Sequence, residues 1–143
     1  MPKILENVKN RIIDEARKQI NENGYDNVTI RSIARGCYIG TGTFYNYFKS
    51  KDMLIATFLL EDWNERINRL CASSEGESDP MVTIRNIYDE LSEFISNNAS
   101  IFSSIEAIKS FNSSVGGYHK VLRGQIAAPI YNSCVKGEYQ NAK

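Results

Sequence analysis

Between Thr41 and Phe48 the chain reads Thr-Gly-Thr-Phe-Tyr-Asn-Tyr-Phe, a run that interleaves hydroxyls with aromatic rings. Phe44 and Phe48 are four residues apart and fall on one side of a helix, while Thr43, Tyr45 and Tyr47 point away from it. The outward side carries hydroxyls and no aliphatic residue. Hydroxyls of this kind can donate to phosphate oxygens or reach base edges, and a threonine methyl can touch a thymine. Lys49 and Lys51 follow at once. The chemistry on offer is recognition of a polyanion. The plainer reading of the same letters is a helix hairpin in an all-α core, with solvated lysines beside it.

Catalytic chemistry has little to build on. His119, the only histidine, lies beside Gly116 and Gly117 with no cysteine or acidic partner nearby in sequence. Glu75, Glu77 and Asp79 are spaced by two in a polar stretch and read as solvated carboxylates. No phosphate-cradling glycine loop follows a strand, because no segment alternates as a strand would. Cys37, Cys71 and Cys134 are far apart, odd in number and set among apolar neighbours, which predicts reduced core thiols in a cytosolic protein. The expectation is a protein that is not an enzyme and needs no cofactor, metal or disulfide.

A chain of 143 residues is one domain, or a small head on a modest core. Lys and Arg number 17, as do Asp and Glu, so the overall charge is zero. The distribution is uneven. Residues 1–55 hold nine basic and six acidic side chains, a net of +3, which leaves eight against eleven, a net of −3, for residues 56–143. A basic head on an acidic body fits a protein that touches phosphate at one end. No N-terminal leader is recognisable and no apolar run nears the ~20 residues needed to cross a bilayer. The expected location is the cytoplasm, with no membrane partner.

Helical periodicity organises the whole chain. Val8, Ile12, Ile13, Ala16 and Ile20 predict a first helix from about Leu5 to Asn23, ended by Gly24 in a left-handed conformation, with Tyr25 folding back on it. Ile30, Ile33, Ala34 and Cys37 predict a second helix with Thr29 as its N-cap, and a third spans about Thr41 to Phe48. Ser50 caps a long fourth helix reaching about Cys71, with Asp52 in its first turn, where a negative charge suits the dipole. A loop covers Ala72 to Asp79. Asp79-Pro80 opens a fifth helix that ends at Asn97 or Asn98, and Ser100 starts a sixth that closes near Phe111. After a loop at Asn112 to Gly117, a seventh from about Tyr118 carries Val121, Leu122, Ile126, Ile130, Tyr131 and Cys134, with Pro129 expected to kink or break it.

The run IARGCYIGTGTFYNYFKSKDML closely resembles the N-terminal DNA-binding motif of the TetR family of transcriptional repressors, in which an Ile-Ala pair, a turn, Gly-Thr-x-Tyr-x-Tyr-Phe and Lys-Ser-Lys recur at this spacing. The resemblance is good from Val8 to about Ile55 and only generally helical beyond. It implies an all-α fold: a three-helix DNA-binding head at residues 1–49 with a helix-turn-helix, then a helical effector-binding and dimerisation bundle at 50–143. Family members go on for two more helices, and this sequence ends about where the first would begin. The family's turn has glycine because φ there is positive. This chain has Tyr38 at that position, a bulky residue that costs about 1 kcal/mol or more in the left-handed region, and Gly40 where a capping serine is more usual.

With that resemblance the roles follow. Thr29 and Arg31 would hold the flanking DNA backbone, and Thr41, Gly42 and Thr43 would enter the major groove. Tyr45 and Tyr47 would reach phosphate or base edges, and Lys49 and Lys51 would meet phosphates. Trp63, Tyr88, Phe94, Phe102, Phe111 and Tyr131 would line an effector cavity, or simply fill a core. The implied partners are a double-stranded DNA operator, a small-molecule effector and a second copy of the chain. Effector binding would swing the fourth helix and change the separation of two heads. The alternative of a different class is a truncated helical interaction protein that pairs with a full-length relative and does not bind DNA specifically.

Overall fold

A first helix, α1, runs from Pro2 to Asn23 in the computed structural model of the chain, which describes residues 2–104, 106, 107, 109 and 118–141. Then come a 3-10 turn at Tyr25–Asn27, α2 (Ile30–Gly36), α3 (Thr41–Tyr45), α4 (Lys51–Ser74), α5 (Pro80–Asn97), α6 (Ala99–Phe102) and α7 (Tyr118–Asn141). Among the described residues there is no strand, so the all-α expectation holds. The chain divides into two compact units, Met1–Leu59 with Asn98–Ser114, and Leu60–Asn97 with Val115–Lys143. This division falls elsewhere than the 49/50 boundary suggested by function. The reason is physical: Leu54, Ile55 and Phe58 of α4 lie in the same core as the head, and α6 is tied to α1 where Ser100 Oγ donates to the Ile20 carbonyl at 3.4 Å.

The first unit is built on α1. Ile12, Ile13, Ala16 and Ile20 form a fully or nearly buried stripe on α1, which packs against α2, while Ile33, Ala34, Phe44, Phe48 and Leu54 are buried in the same unit. Gly24 ends α1 at φ 79 and ψ 156, so φ is positive as expected while ψ is extended, a region essentially confined to glycine. Thr29 caps α2 and forms a reciprocal pair with Ser32: each side chain accepts from the other's backbone N–H, at 3.1 Å and 3.0 Å.

The second unit packs α5 against α7 and the distal part of α4. Asp79 Oδ1 accepts from the Met81 N–H at 2.9 Å and Pro80 occupies the first helical position, the predicted start of α5. Thr83 and Ser133, both buried, share a hydrogen bond of 2.6 Å between α5 and α7.

Several expectations are corrected. α3 stops at Tyr45 rather than Phe48; the next residues turn more tightly, with the N–H groups of Tyr47 and Phe48 both donating to the Phe44 carbonyl. α4 runs to Ser74, three residues into the expected loop. α6 is four residues long, and Ile105, Ile108 and Phe111 of its expected continuation, like the loop at 112–117, lie outside the described residues. α7 passes through Pro129 unbroken. Its expected apolar face is not a core stripe: Val121, Tyr131 and Cys134 are exposed, and the buried positions are Pro129 and Ser133. Only Cys37 is a core thiol, since Cys71 and Cys134 stand at the surface, all three free. Burial and the neighbouring Glu15 carboxylate push the Cys37 thiol pKa up, which keeps it protonated and unreactive.

Candidate nucleic-acid interface

The turn between α2 and α3 decides whether the two helices form a fixed motif. Cys37 is the C-cap of α2, and Tyr38 follows at φ 58, the sole residue other than glycine with positive φ among those described. The Tyr38 N–H donates to the Arg35 carbonyl at 3.1 Å and the Ile39 N–H to the Ala34 carbonyl at 3.0 Å. These are the paired bonds of a Schellman motif, made here with tyrosine where glycine is the usual occupant. The phenol takes no part in them and is 93 % exposed. From α1, Arg11 donates to the Cys37 carbonyl and so satisfies a helix-end acceptor beside the turn. Gln19 donates to the Ser32 carbonyl at 3.0 Å. The strained turn is thus over-determined by its own backbone and by α1.

α3 has five residues, too few to be stable alone. Its place is set by Phe44, fully buried, and Phe48, whose ring centroids lie 6.0 Å apart. With those rings inward, Thr41, Gly42 and Thr43 are exposed. Tyr45 is 53 % exposed, its ring standing edge-on to Phe44 at 5.8 Å, and Tyr47 is half-buried. A Cβ added at Gly42 would meet nothing within 4 Å, so packing inside the protein does not require glycine there. Arg31 and Lys49 are exposed as well. Thr29 is exposed, with its hydroxyl engaged as the α2 cap.

Lys51, also expected to meet phosphate, has partners within the protein. Its ammonium donates to the carbonyls of Val28 at 3.0 Å and Tyr25 at 3.2 Å, and it sits 4.0 Å above the Tyr25 ring. Tyr25 is buried and its hydroxyl donates to Asp52. Burial, then the hydrogen bond to the Asp52 carboxylate, holds the phenol pKa well above its ordinary value. Lys51 and Asp52 are therefore a latch binding the start of α4 to the segment between α1 and α2. Ser50 caps α4 as expected, accepting from the Met53 N–H at 3.1 Å. A Lys-Ser-Lys run gives no hint which lysine turns inward. The adjacent aspartate and the tyrosine after Gly24 were the available signal.

Of the six aromatic residues of the expected effector cavity, the structure brings two together. Trp63 and Phe94 do meet, edge to face at 5.3 Å, both buried, with Trp63 Nε1 donating to Gln125 Oε1 at 3.1 Å. Tyr88 and Tyr131 point out to solvent, Phe102 belongs to the first unit, and Phe111 lies outside the described residues. Tyr131 instead borders an open groove of about 420 Å³ between α4 and α7, with Cys71 and Pro129 among its walls. Sequence reasoning also missed Arg66. Its buried guanidinium joins α4 to α5 through Glu90 at 3.1 Å and Glu93 at 3.0 Å, with Asp62 at 3.4 Å. Burial works against its charge, but the hydrogen bond to Glu93 and the neighbouring carboxylates outweigh it and raise its pKa. Among the described residues no cluster of His, Cys, Asp and Glu could hold a metal ion, and no helix is long and apolar enough to cross a membrane.

Two short helices across a closed turn, braced by a third, define a helix-turn-helix protein of all-helical build. Residues 12–57 match the family described as bacterial regulatory proteins, tetR family. The chain is 34 % identical over 68 residues to the HTH-type transcriptional regulator UidR of Escherichia coli K12, an alignment covering 48 % of this chain and 35 % of that protein. The chain thus matches about a third of that relative's length. The fold is similar to that of the fatty acid degradation regulator FadR from Bacillus halodurans, with a TM-score of 0.63, 19 % identity and coverage of 85 % of this chain and 67 % of that one. It is also similar to the transcriptional regulator FadR from Bacillus subtilis in complex with stearoyl-CoA, with a TM-score of 0.62, 24 % identity and coverage of 85 % and 70 %.

Proposed function

We propose that the protein is a transcriptional regulator that binds double-stranded DNA through α3 and acts in the cytoplasm as a repressor released by a small-molecule effector. The observation that carries the DNA reading is the outward face of α3, where exposed hydroxyls and a glycine that packing does not require stand on two buried rings. In this reading Thr41, Gly42 and Thr43 enter the major groove, Tyr45 and Tyr47 reach phosphate or base edges, and Arg31 and Lys49 meet phosphates. The exposed Thr29 contributes at the edge, and Lys51 holds the motif together instead of touching DNA. Residues 1–49 form the functional head and 50–143 the regulatory part. Two heads, on two copies of the chain, read two half-sites. An apolar-bodied effector is favoured by the Trp63–Phe94 pair, and the long-chain acyl-CoA held by the Bacillus subtilis FadR is the first compound to try. It would act by moving α4.

The test is fluorescence anisotropy with DNA from upstream of the protein's own gene. Affinity is expected to fall steeply with salt, and Tyr45→Ala combined with Lys49→Ala is expected to weaken it at least about 100-fold, since two direct contacts are lost. Salt-independent binding, or an unchanged double variant, overturns the reading.

A further inference from the structure

Tyr38 is strained without any gain inside the protein. Its backbone sits at φ 58, where a side chain bearing a Cβ is crowded, and strain of this kind gathers at sites where it serves binding. The ring, 93 % exposed, offsets none of that strain through burial. Both hydrogen bonds that close the turn come from backbone N–H groups, so glycine would close it equally well. The stability of the head therefore gives no reason for a tyrosine here.

The surroundings of the ring supply one. From Tyr38 to Thr43 every residue is exposed apart from the half-buried Ile39. Gly40 and Gly42 lie in this run, and a Cβ added at either would meet nothing within 4 Å, so the backbone itself forms an open surface beside the ring. Arg35, whose carbonyl accepts from the Tyr38 N–H, is exposed as well and sets a positive charge at the same end of α2. In a helix-turn-helix the first helix crosses the DNA backbone and the N-terminal residues of the second reach the bases. The turn joining them passes over the edge of the groove, where the phosphates are.

We propose that Tyr38 is a further DNA-binding residue, its phenol donating to a phosphate oxygen at the edge of the groove that α3 enters. This role rests on the reading of α3 as the helix that enters the groove. A hydroxyl donating to a charged oxygen makes one of the stronger kinds of hydrogen bond. Unlike an ammonium or a guanidinium, it displaces no counterion, and a phosphate carries no sequence information. Tyr38 thus adds affinity for any duplex and leaves the salt dependence to the cations around it.

The test is anisotropy of the full chain on two fluorescein-labelled duplexes, one from upstream of its own gene and one a scramble of it, between about 50 and 200 mM salt. Tyr38→Phe keeps the ring, the Cβ and the strain, and should raise the dissociation constant about tenfold on both duplexes with the salt slope unchanged, since one hydrogen bond to a charged acceptor is lost. Lys49→Ala should instead lower the slope by about 1. Tyr38→Gly should weaken binding at least as much as Tyr38→Phe while the melting temperature rises, opposite signs that a purely structural tyrosine would not give. If the parent binds both duplexes and the two Tyr38 variants bind them equally well, the proposal is overturned and the regulator reading stands. A loss confined to the upstream duplex overturns it too, because it marks a base contact. A parent chain with no salt-dependent affinity for either duplex overturns both readings.

Discussion

Replacing Tyr38 with glycine should make the protein more stable, although it removes a whole side chain from the helix-turn-helix. The ring is 93 % exposed and contributes no burial, and the two closing hydrogen bonds of the turn come from backbone N–H groups that glycine keeps. What changes is the φ of 58, which brings a Cβ too close to the following carbonyl at a cost of about 1–2 kcal/mol. Glycine returns about 0.5–1 kcal/mol of that through the extra freedom of its unfolded chain. The net gain is about 0.5–1 kcal/mol, or roughly 2–4 °C in Tm for a chain of this length. Thermal unfolding followed by circular dichroism reads it directly, with Tyr38→Ala as control, because alanine keeps the Cβ and the strain. A glycine variant that melts at or below the parent temperature, or an alanine variant that gains as much, would refute the reasoning.

Arg66→Met keeps the aliphatic stem and deletes the buried charge, which leaves Asp62, Glu90 and Glu93 facing one another. Removing one partner of a buried ion pair costs about 3–5 kcal/mol. Here Glu93 is 62 % exposed, so the expected loss is about 2–3 kcal/mol. Urea denaturation reads it, and a loss under about 1 kcal/mol would mean that the cluster behaves as a surface pair. Tyr25 gives a pH signature. Its folded pKa lies above the unfolded value, so its contribution is complete below about pH 10 and declines as pH rises further, when the unfolded chain ionises first. Tyr25→Phe should therefore show a shallower loss of stability above pH 10 than the parent, and equal slopes would show that the buried hydroxyl is not the titrating group responsible.

The parts of this protein that were legible in the letters are those fixed by local pattern. Thr29, Ser50 and Asp79-Pro80 sit at helix starts because a hydroxyl, a carboxylate or a proline satisfies or tolerates the unpaired N–H groups there, whatever the tertiary fold. The strain at Tyr38 was legible for a similar reason, because a family whose turn takes glycine reveals the backbone angle the position demands. The inward contacts of Lys51 were not legible because its partners, the carbonyls of Tyr25 and Val28, are brought to it by the tertiary path of the chain and leave no trace in local spacing. Where the described aromatic residues stand was hidden in the same way. Tyr88 and Tyr131 lie at helical spacing from core residues, yet periodicity cannot tell which of two apolar faces a helix buries. Pro129 did not break α7 because losing one backbone hydrogen bond near mid-helix is a local cost, and the segment around it is held by packing that includes the buried Thr83–Ser133 contact.

The five-residue α3 borrows its shape from two rings planted in the interior. The letters that let it fold and the letters that face outward are therefore different letters. Thr41, Gly42 and Thr43 can be exchanged without asking the core to repack, so under the proposed DNA-reading role the outward letters are free to change while the way the helix stands is left untouched.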